Sequence, residues 1–247
     1  MSFENKNNDF LITFDNVIPY FQPIVNKNKI IHKYESLARI KKSNENNLFY
    51  PPMCFLPKIN KTDEYLKFTK IMINKTINII LKKNINLSVN LTNYDLINKD
   101  MRKFILEKIN LLPDKTKLTI EIVETENIIE DEVITFLKKI QLMGVLIYID
   151  DYGTGYSNLE LLTKLRPDGI KIDGLFIKNI INNKYHQKIL KNTIRLMKYF
   201  KIDIIVEYVE NKEIFEYLIK EYPDIKYFQG YFFGKPDIIH HEYNQLE

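Results

Sequence analysis

The chain has 247 residues, 45% of them hydrophobic and 28% charged, which is the composition of a globular protein with one large or two small domains. The net charge of +4 is too small for a nucleic-acid-binding surface, so duplex nucleic acid is not expected as a partner. Cys54 is the only cysteine and no run approaches the ~18 apolar residues of a membrane span, so we expect a cytoplasmic protein without disulfides.

Eight short apolar segments along the chain predict β-strands. They read as nearly continuous apolar runs, which is typical of parallel strands covered on both faces. In chain order the segments are VIPYFQPIV, KYESLARI, NLSVNLT, KLTIEIVE, VLIYIDD, GIKID, DIIVEYV and YFQGYFF. No linker or change of composition separates them, so a single domain is predicted over residues 1–247.

Longer amphipathic segments lie between the predicted strands and predict helices. Their apolar residues recur at steps of three and four residues. The segments are DEYLKFTKIMINKTINIILKK, YDLINKDMRKFILEKI, EDEVITFLKKIQLM, NLELLTKL, QKILKNTIRLMKYF and KEIFEYLIKEY. Strands and helices that alternate over roughly 250 residues predict an α/β fold of the (β/α)8 TIM-like barrel type, with a doubly wound open sheet as the alternative.

Polar side chains occur near the ends of most predicted strands. In a β/α barrel the functional residues lie at the carboxyl ends of the strands, so these side chains are candidates for one common site. Two-residue alternation places Leu37 and Arg39 on the same strand face as Glu35. A single glutamate near a strand end is usually a solvated residue or the partner of a nearby Lys or Arg, and only the whole set indicates chemistry. The further candidates are Asn90, Glu121, Glu124, Asp150, Asp151, Lys171, Glu207 and Gln229.

Asp150 and Asp151 are adjacent carboxylates at the end of the segment VLIYIDD. Neighbouring side chains of a strand point to opposite faces, so we expect the strand to stop there and Gly153 and Gly155 to bend the chain. Five of the candidate carboxylates would repel one another at one mouth unless cations held them, namely Glu35, Glu121, Asp150, Asp151 and Glu207. Oxygen ligands without cysteine or suitably spaced histidine favour Mg²⁺ or Mn²⁺ over Zn²⁺. Two such ions bridged by an aspartate catalyse phosphodiester hydrolysis, so phosphoester chemistry is the predicted reaction.

With these residues in place, the chain resembles the EAL domain family, the cyclic di-GMP phosphodiesterases of bacteria. The motifs that carry the resemblance are ESLAR, SVNLT, IEIVE, DDYGTGYSNL, IKIDG, VEYVE and FQGYFF, in family order between about residues 20 and 236. The resemblance implies a barrel with one irregular antiparallel strand near the N-terminus. It also implies hydrolysis of cyclic di-GMP to the linear dinucleotide pGpG and, by analogy with the family, a homodimer.

The resemblance further implies two divalent cations, Mg²⁺ or Mn²⁺, with Ca²⁺ expected to bind without supporting turnover. Asp150 matches the ligand that bridges the two ions. The residues that match ligands of the first ion are Glu35, Asn90, Glu121 and Asp150, and those that belong to the second are Asp150, Asp151 and Glu207.

Other positions match residues that act on the water or on the ligand. Lys171 matches the lysine that positions or deprotonates the attacking water, and Gln229 matches a glutamine that orients it. Glu207 also matches a carboxylate associated with this water, and Glu124 matches the glutamate that supports the loop after the aspartate pair. The positions that match the ligand-binding surface are Gln22, Leu37 and Arg39, with Arg39 facing a phosphate.

The chain departs from the family motifs at a few positions. Ser36 replaces an alanine and is expected to point away from the Glu35 face. Tyr208 replaces a glycine next to Glu207, and alternation predicts that its ring faces the helices. If that glycine serves a positive φ, the tyrosine would displace Glu207 and weaken the second metal site. Gly174 replaces a commoner polar residue and is expected to be harmless.

The alternative to an active phosphodiesterase is therefore a catalytically silent EAL-like protein that binds cyclic di-GMP or a protein partner as a regulator.

Overall fold

The computed structural model describes residues 12–41, 49–123, 130–153 and 158–239. In these ranges nine strands belong to one sheet. All eight predicted strands are present, and the additional strand, β3, has only two residues. The strands are β1 (Val17–Asn26), β2 (Ile31–Lys41), β3 (Phe49–Tyr50), β4 (Leu87–Thr92), β5 (Leu118–Val123), β6 (Leu146–Tyr152), β7 (Gly169–Ile172), β8 (Asp203–Val206) and β9 (Tyr227–Gln229).

The sheet closes into a barrel because β1 pairs with both β2 and β9. β1 runs antiparallel to these two neighbours, whereas the pairs from β2 through β4, β5, β6, β7 and β8 to β9 are parallel. β3 attaches to β2 outside the closed ring of eight strands. Closure rules out the open sheet and confirms the TIM-like barrel with one antiparallel strand near the N-terminus.

Helices cover the outside of the barrel. They are α1 (Pro52–Ile59), α2 (Asp63–Lys83), α3 (Asn93–Ile97), α4 (Lys99–Asn110), α5 (Asp131–Leu142), α6 (Asn158–Leu165), α7 (Gly174–Ile177), α8 (Lys184–Phe200) and α9 (Lys212–Glu221). The bounds of α2 are those of the predicted segment, and its side-chain cap is Thr62, which accepts a hydrogen bond from the Tyr65 backbone N–H. The prediction of one helix over residues 94–109 is wrong. Asn98 leaves the helical conformation, and its side chain caps α4 by accepting a hydrogen bond from the Met101 N–H.

In the part of the chain that the structure describes, no helix combines the length and the apolar character that crossing a bilayer requires.

The interior of the barrel is apolar at its amino end. Ile24, Tyr148 and Ile205 pack together there, each at most 2% exposed. Gly169 leaves room for the Tyr148 ring, because a Cβ on this glycine would lie 2.3 Å from Tyr148 Cε2. On the parallel strands, alternation places the residue two positions farther toward the carboxyl end in the layer above. On the antiparallel β1, the corresponding residue is Gln22, two positions toward the amino end from Ile24. That layer is polar and forms the candidate site.

Candidate active site

Glu35 is the centre of a hydrogen-bonded group in the barrel interior. It lies on β2, and its carboxylate accepts hydrogen bonds from Asn90 Nδ2 at 2.7 Å, Gln229 Nε2 at 2.7 Å and Lys171 Nζ at 3.1 Å. Asn90 on β4 is in register with Glu121 on β5, which is fully buried. Three neighbouring parallel strands therefore bring side-chain oxygens to one point at the carboxyl end of the barrel.

Asp150 and Asp151 join this point through a β-bulge in β6. The register with β7 shifts between Ile149 and Tyr152, which adds one residue to β6. Asp151 adopts a φ of +53°, in the left-handed region. A bulge re-aims side chains and breaks the alternation of a regular strand. β6 ends one residue after the aspartate pair, at Tyr152, and Gly153 follows with a φ of +103°, so the chain turns close to where the prediction placed the turn. The prediction missed the bulge, which brings both carboxylates to the site.

Lys171 on β7 connects the acidic side chains. It is 1% exposed, and its Nζ lies 3.1 Å from Glu35, 3.0 Å from Glu121, 3.0 Å from Asp150 and 2.8 Å from Glu207. The predicted lysine and four of the predicted carboxylates are thus in direct contact.

Gln229 and Gln22 form the side of the site where β9 meets β1. Gln229 Nε2 also approaches Gln22 Oε1 at 3.3 Å, and Gln22 Nε2 donates to the Gly234 carbonyl at 3.2 Å. Both glutamines and Leu37 line a cavity of about 380 Å³ that opens over Lys171. The cavity has the size and the polar floor of a small-ligand site.

Arg39 is a candidate that the structure does not bring into this group. Arg39 lies farther along β2, where its guanidinium donates to the Ala38 carbonyl at 2.8 Å and lies 5.3 Å from the Tyr20 ring centroid. Arg39 is not among the described residues that line the cavity. Glu124 lies outside the described residues, as does Gly155.

Burial and mutual repulsion perturb the acidic groups. Burial raises the pKa of Asp150 well above its usual value, and Glu207 and Glu121 raise it further. Burial likewise raises the pKa of Glu207 to about 7. The pKa of Glu35 is lowered instead, because the Lys171 ammonium and its hydrogen-bond donors outweigh the opposing effect of burial. The site therefore carries more negative charge than the Lys171 ammonium neutralises.

Two groups of carboxylates have the geometry of cation sites. One is Glu35, Glu121 and Asp150, and the other is Asp150, Asp151 and Glu207, with the ligand atoms of each group within 4.8 Å of one another. Asn90 Oδ1 is buried without a hydrogen-bond partner among the described residues, so this amide oxygen is available as a further ligand of the first group. Oxygen donors alone suit Mg²⁺ or Mn²⁺. The residues present fit two divalent cations that share Asp150.

Lys33 is a residue of the site that the sequence reasoning missed. It is 2% exposed on β2, with Nζ 3.5 Å from Glu121 Oε1 and 3.8 Å from the Tyr148 ring centroid. Burial lowers its pKa to about 8, against the opposing effect of Glu121. The alternation that places Leu37 on the Glu35 face also places Lys33 there, so the signal was present in the sequence.

Comparison with known proteins identifies the family. A family model of the EAL domain matches residues 8–236. The chain belongs to the EAL domain family.

It is similar to the probable cyclic di-GMP phosphodiesterase PdeG of Escherichia coli strain K12, with 29% identity over 232 residues that cover 89% of this chain and 44% of PdeG. It is also similar to the cyclic di-GMP phosphodiesterase PdeF of the same strain, with 39% identity over 111 residues that cover 45% of this chain and 15% of PdeF. The chain therefore spans less than half the length of these two relatives.

A solved EAL structure has the same architecture. It is a standalone versatile EAL protein from Vibrio cholerae O395 in its c-di-GMP-bound form. The TM-score is 0.76 at 27% identity, and the match covers 90% of this chain and 93% of that chain. The resemblance inferred from the sequence motifs is confirmed.

Tyr208 departs from the EAL motif in a way that the sequence did not predict correctly. Its φ is +55°, so the backbone does adopt the left-handed conformation that favours glycine. The prediction that alternation separates its ring from Glu207 is wrong, because β8 ends at Val206 and a left-handed residue breaks the alternation. The ring packs on Gly174 of α7 and also lines the cavity beside Glu207. The flanking residues stay anchored, since the Glu207 N–H donates to the Ile172 carbonyl at 3.1 Å and the Val209 N–H to the Gln229 carbonyl at 3.0 Å. Glu207 thus keeps its place in the second carboxylate group.

Ser36, the other departure beside the site, follows its prediction. Its hydroxyl forms a buried hydrogen bond of 2.9 Å with the Thr76 hydroxyl on α2, outside the barrel.

Proposed function

We propose that this EAL protein is a metal-dependent phosphodiesterase that hydrolyses cyclic di-GMP to linear pGpG. The observation that carries the proposal is the pair of carboxylate groups that share Asp150. A carboxylate common to two divalent cations is the arrangement by which two-metal enzymes hydrolyse phosphodiesters. The similarity to PdeF, named a cyclic di-GMP phosphodiesterase, and to PdeG, named a probable one, supports this substrate.

The proposed cation ligands are the six residues predicted from the motifs. In these sites Mg²⁺ or Mn²⁺ supplies positive charge that stabilises the negative charge gained by a phosphodiester under attack. Asp150 belongs to both groups, so its carboxylate would be shared by the two sites. The first site takes Glu35, Asn90, Glu121 and Asp150, and the second takes Asp150, Asp151 and Glu207.

The residues around the cations would place the water and the ligand. Lys171 Nζ lies between the two groups, 3.0 Å from Asp150 and 2.8 Å from Glu207, where it would hydrogen-bond the attacking oxygen. Gln229 would orient the same oxygen from the β9 side, since it already contacts Glu35. Gln22 and Leu37 would contact the ligand from the cavity wall, Arg39 would face a phosphate from farther along β2, and Glu124 would support the loop after the aspartate pair.

A turnover assay tests the proposal directly. The chain is incubated with cyclic di-GMP and Mn²⁺ or Mg²⁺, and the products are separated by chromatography. We expect pGpG, and we expect Asp150→Asn and Glu35→Gln each to lower the rate by more than about a hundredfold, since even outer-shell substitutions reach that range. Glu216→Gln is the matched control, because Glu216 is an exposed carboxylate on α9. The absence of pGpG at high protein concentration, or normal rates in the two variants, would contradict the proposal.

Calorimetry separates the enzyme from the silent regulator. With Ca²⁺ in place of Mn²⁺, we expect cyclic di-GMP to bind without being hydrolysed. If cyclic di-GMP binds in the presence of either cation but no pGpG forms with either, the protein is the silent EAL-like alternative instead.

The single domain over residues 1–247, the homodimer and the cytoplasmic location remain predictions. Analytical ultracentrifugation of the purified chain tests the dimer, and we expect a molecular mass twice that of the monomer.

A further inference from the structure

Tyr208 places an exposed aromatic ring at the mouth of the active site. The residue directly follows Glu207, is 43% exposed and lines the cavity of about 380 Å³. A bulky residue at a φ of +55° carries a cost in backbone strain. Because 43% of the residue stays exposed, burial of apolar surface does not offset that cost in full. A strained residue with an exposed ring beside a site indicates a role in binding.

The ring rests on Gly174, which is the first residue of α7. A Cβ on Gly174 would lie 2.1 Å from Tyr208 Cγ and 2.2 Å from Tyr208 Cδ2. Real Cβ atoms do not approach another atom so closely, so only glycine permits this position of the ring. The two departures from the EAL motif, Gly174 and Tyr208, are therefore spatial partners, and the expectation that Gly174 is merely harmless understates its role.

Positive charge lies beside the aromatic rings of the mouth. Lys178 Nζ is 5.1 Å from the Tyr208 ring centroid. Tyr231 lines the same cavity, is 58% exposed, and has Lys235 Nζ 5.3 Å from its ring centroid. An aromatic face next to an amine is the surface that single-stranded nucleotides use, since a base stacks on the ring and the phosphate attracts the cation.

We propose that the Tyr208 ring is a stacking surface for a base of the dinucleotide ligand. The proposal rests on the proposed function, because it takes the ligand to be a cyclic dinucleotide. Every base has a π face, so this contact adds affinity and does not select guanine over adenine. The base lies over the ring while the phosphates lie over the carboxylate groups and Lys171.

A tryptophan reporter tests the contact directly. The chain has no Trp, so Tyr208→Trp introduces a single indole whose fluorescence a stacked purine quenches. Tyr199→Trp is the control, because Tyr199 is 82% exposed on α8 and lines a different cavity with residues at the amino ends of the strands. With Ca²⁺ and cyclic di-GMP, we expect quenching of Tyr208→Trp and an unchanged signal from Tyr199→Trp.

Binding and kinetics of side-chain variants test the energetic contribution. Asparagine adopts the left-handed conformation readily, so Tyr208→Asn removes the ring without adding strain. We expect its Kd for cyclic di-GMP to rise roughly 5- to 150-fold, the range of base–aromatic stacking. Tyr208→Phe keeps the ring and should stay within about threefold of the parent, by the same reasoning. In turnover, the loss should appear in KM, with kcat within about threefold of the parent.

The outcomes separate the two proposals. If the parent chain binds cyclic di-GMP but Tyr208→Trp is not quenched and Tyr208→Asn binds as tightly as the parent, the stacking surface is refuted and the proposed function stands. If the parent neither binds nor hydrolyses cyclic di-GMP, the proposed function is refuted and the stacking proposal falls with it. Circular dichroism checks that each variant is folded. If Tyr208→Asn does not fold, the fluorescence of Tyr208→Trp tests the stacking surface by itself.

Discussion

Gly174→Ala should destabilise the protein only while Tyr208 is present. The new Cβ would lie 2.1 Å from Tyr208 Cγ, so the ring or α7 must shift, and overpacking of this kind costs about 1–3 kcal/mol. Gly174 lies in a helix and its φ is not positive, so alanine by itself should stabilise the fold by about 0.5–1 kcal/mol. The net effect in the natural chain is a loss of about 1 kcal/mol, or about 2–4 °C in Tm for a chain of this length.

A double-mutant cycle with Tyr208→Gly measures this coupling. Glycine also suits the positive φ at position 208, so the background variant should remain folded. In that background Gly174→Ala should raise the free energy of unfolding by about 0.5–1 kcal/mol, which gives a coupling energy of about 2 kcal/mol. Guanidinium unfolding of the four proteins, followed by circular dichroism, provides the values. An equal effect of Gly174→Ala in both backgrounds would refute the packing of the Tyr208 ring on Gly174.

Two further predictions concern the charges of the site. Without divalent cations, stability should fall as the pH rises from about 4.3 to 7, because the raised pKa of Glu207, about 7, leaves the folded chain holding a proton that the unfolded chain has released. For Glu207 the free energy of unfolding should fall by roughly 3 kcal/mol over this range. Mn²⁺ should remove the pH dependence. A Tm that rises between pH 5 and pH 7 in EDTA would contradict this prediction. Lys33→Met should lower the Kd for Ca²⁺ roughly tenfold by calorimetry, since a buried cation 3.5 Å from Glu121 opposes a divalent ion at the same carboxylate. An unchanged or higher Kd would show that Lys33 does not act on this site.

The sequence by itself determined the alternation of strands and helices and the kinds of side chain in the site. Eight apolar runs alternating with amphipathic segments predict the strand order of a β/α barrel, because period and length are local properties of the chain. The same local pattern predicts polar side chains near the carboxyl ends of the strands, and the structure places Glu121, Lys171 and Gln229 in the carboxyl-terminal halves of β5, β7 and β9. Glu35 lies in the middle of the longer strand β2. Closure was not predictable from the runs alone, because it depends on the pairing of β1 with both β2 and β9.

Only the tertiary structure decided the features that depend on irregular backbone. Asp151 and Tyr208 both have positive φ, and both therefore break the alternation that predicts side-chain direction. A bulky residue rarely adopts this conformation, so the family glycine at position 208 raised a positive φ only as a condition, and nothing in the sequence of β6 fixed it at Asp151. At Tyr208, backbone hydrogen bonds to β7 and β9 hold the flanking residues, and Gly174 leaves room for the ring. At Asp151 this irregularity brings the second aspartate to the site, and at Tyr208 it turns the aromatic ring into the mouth of the cavity.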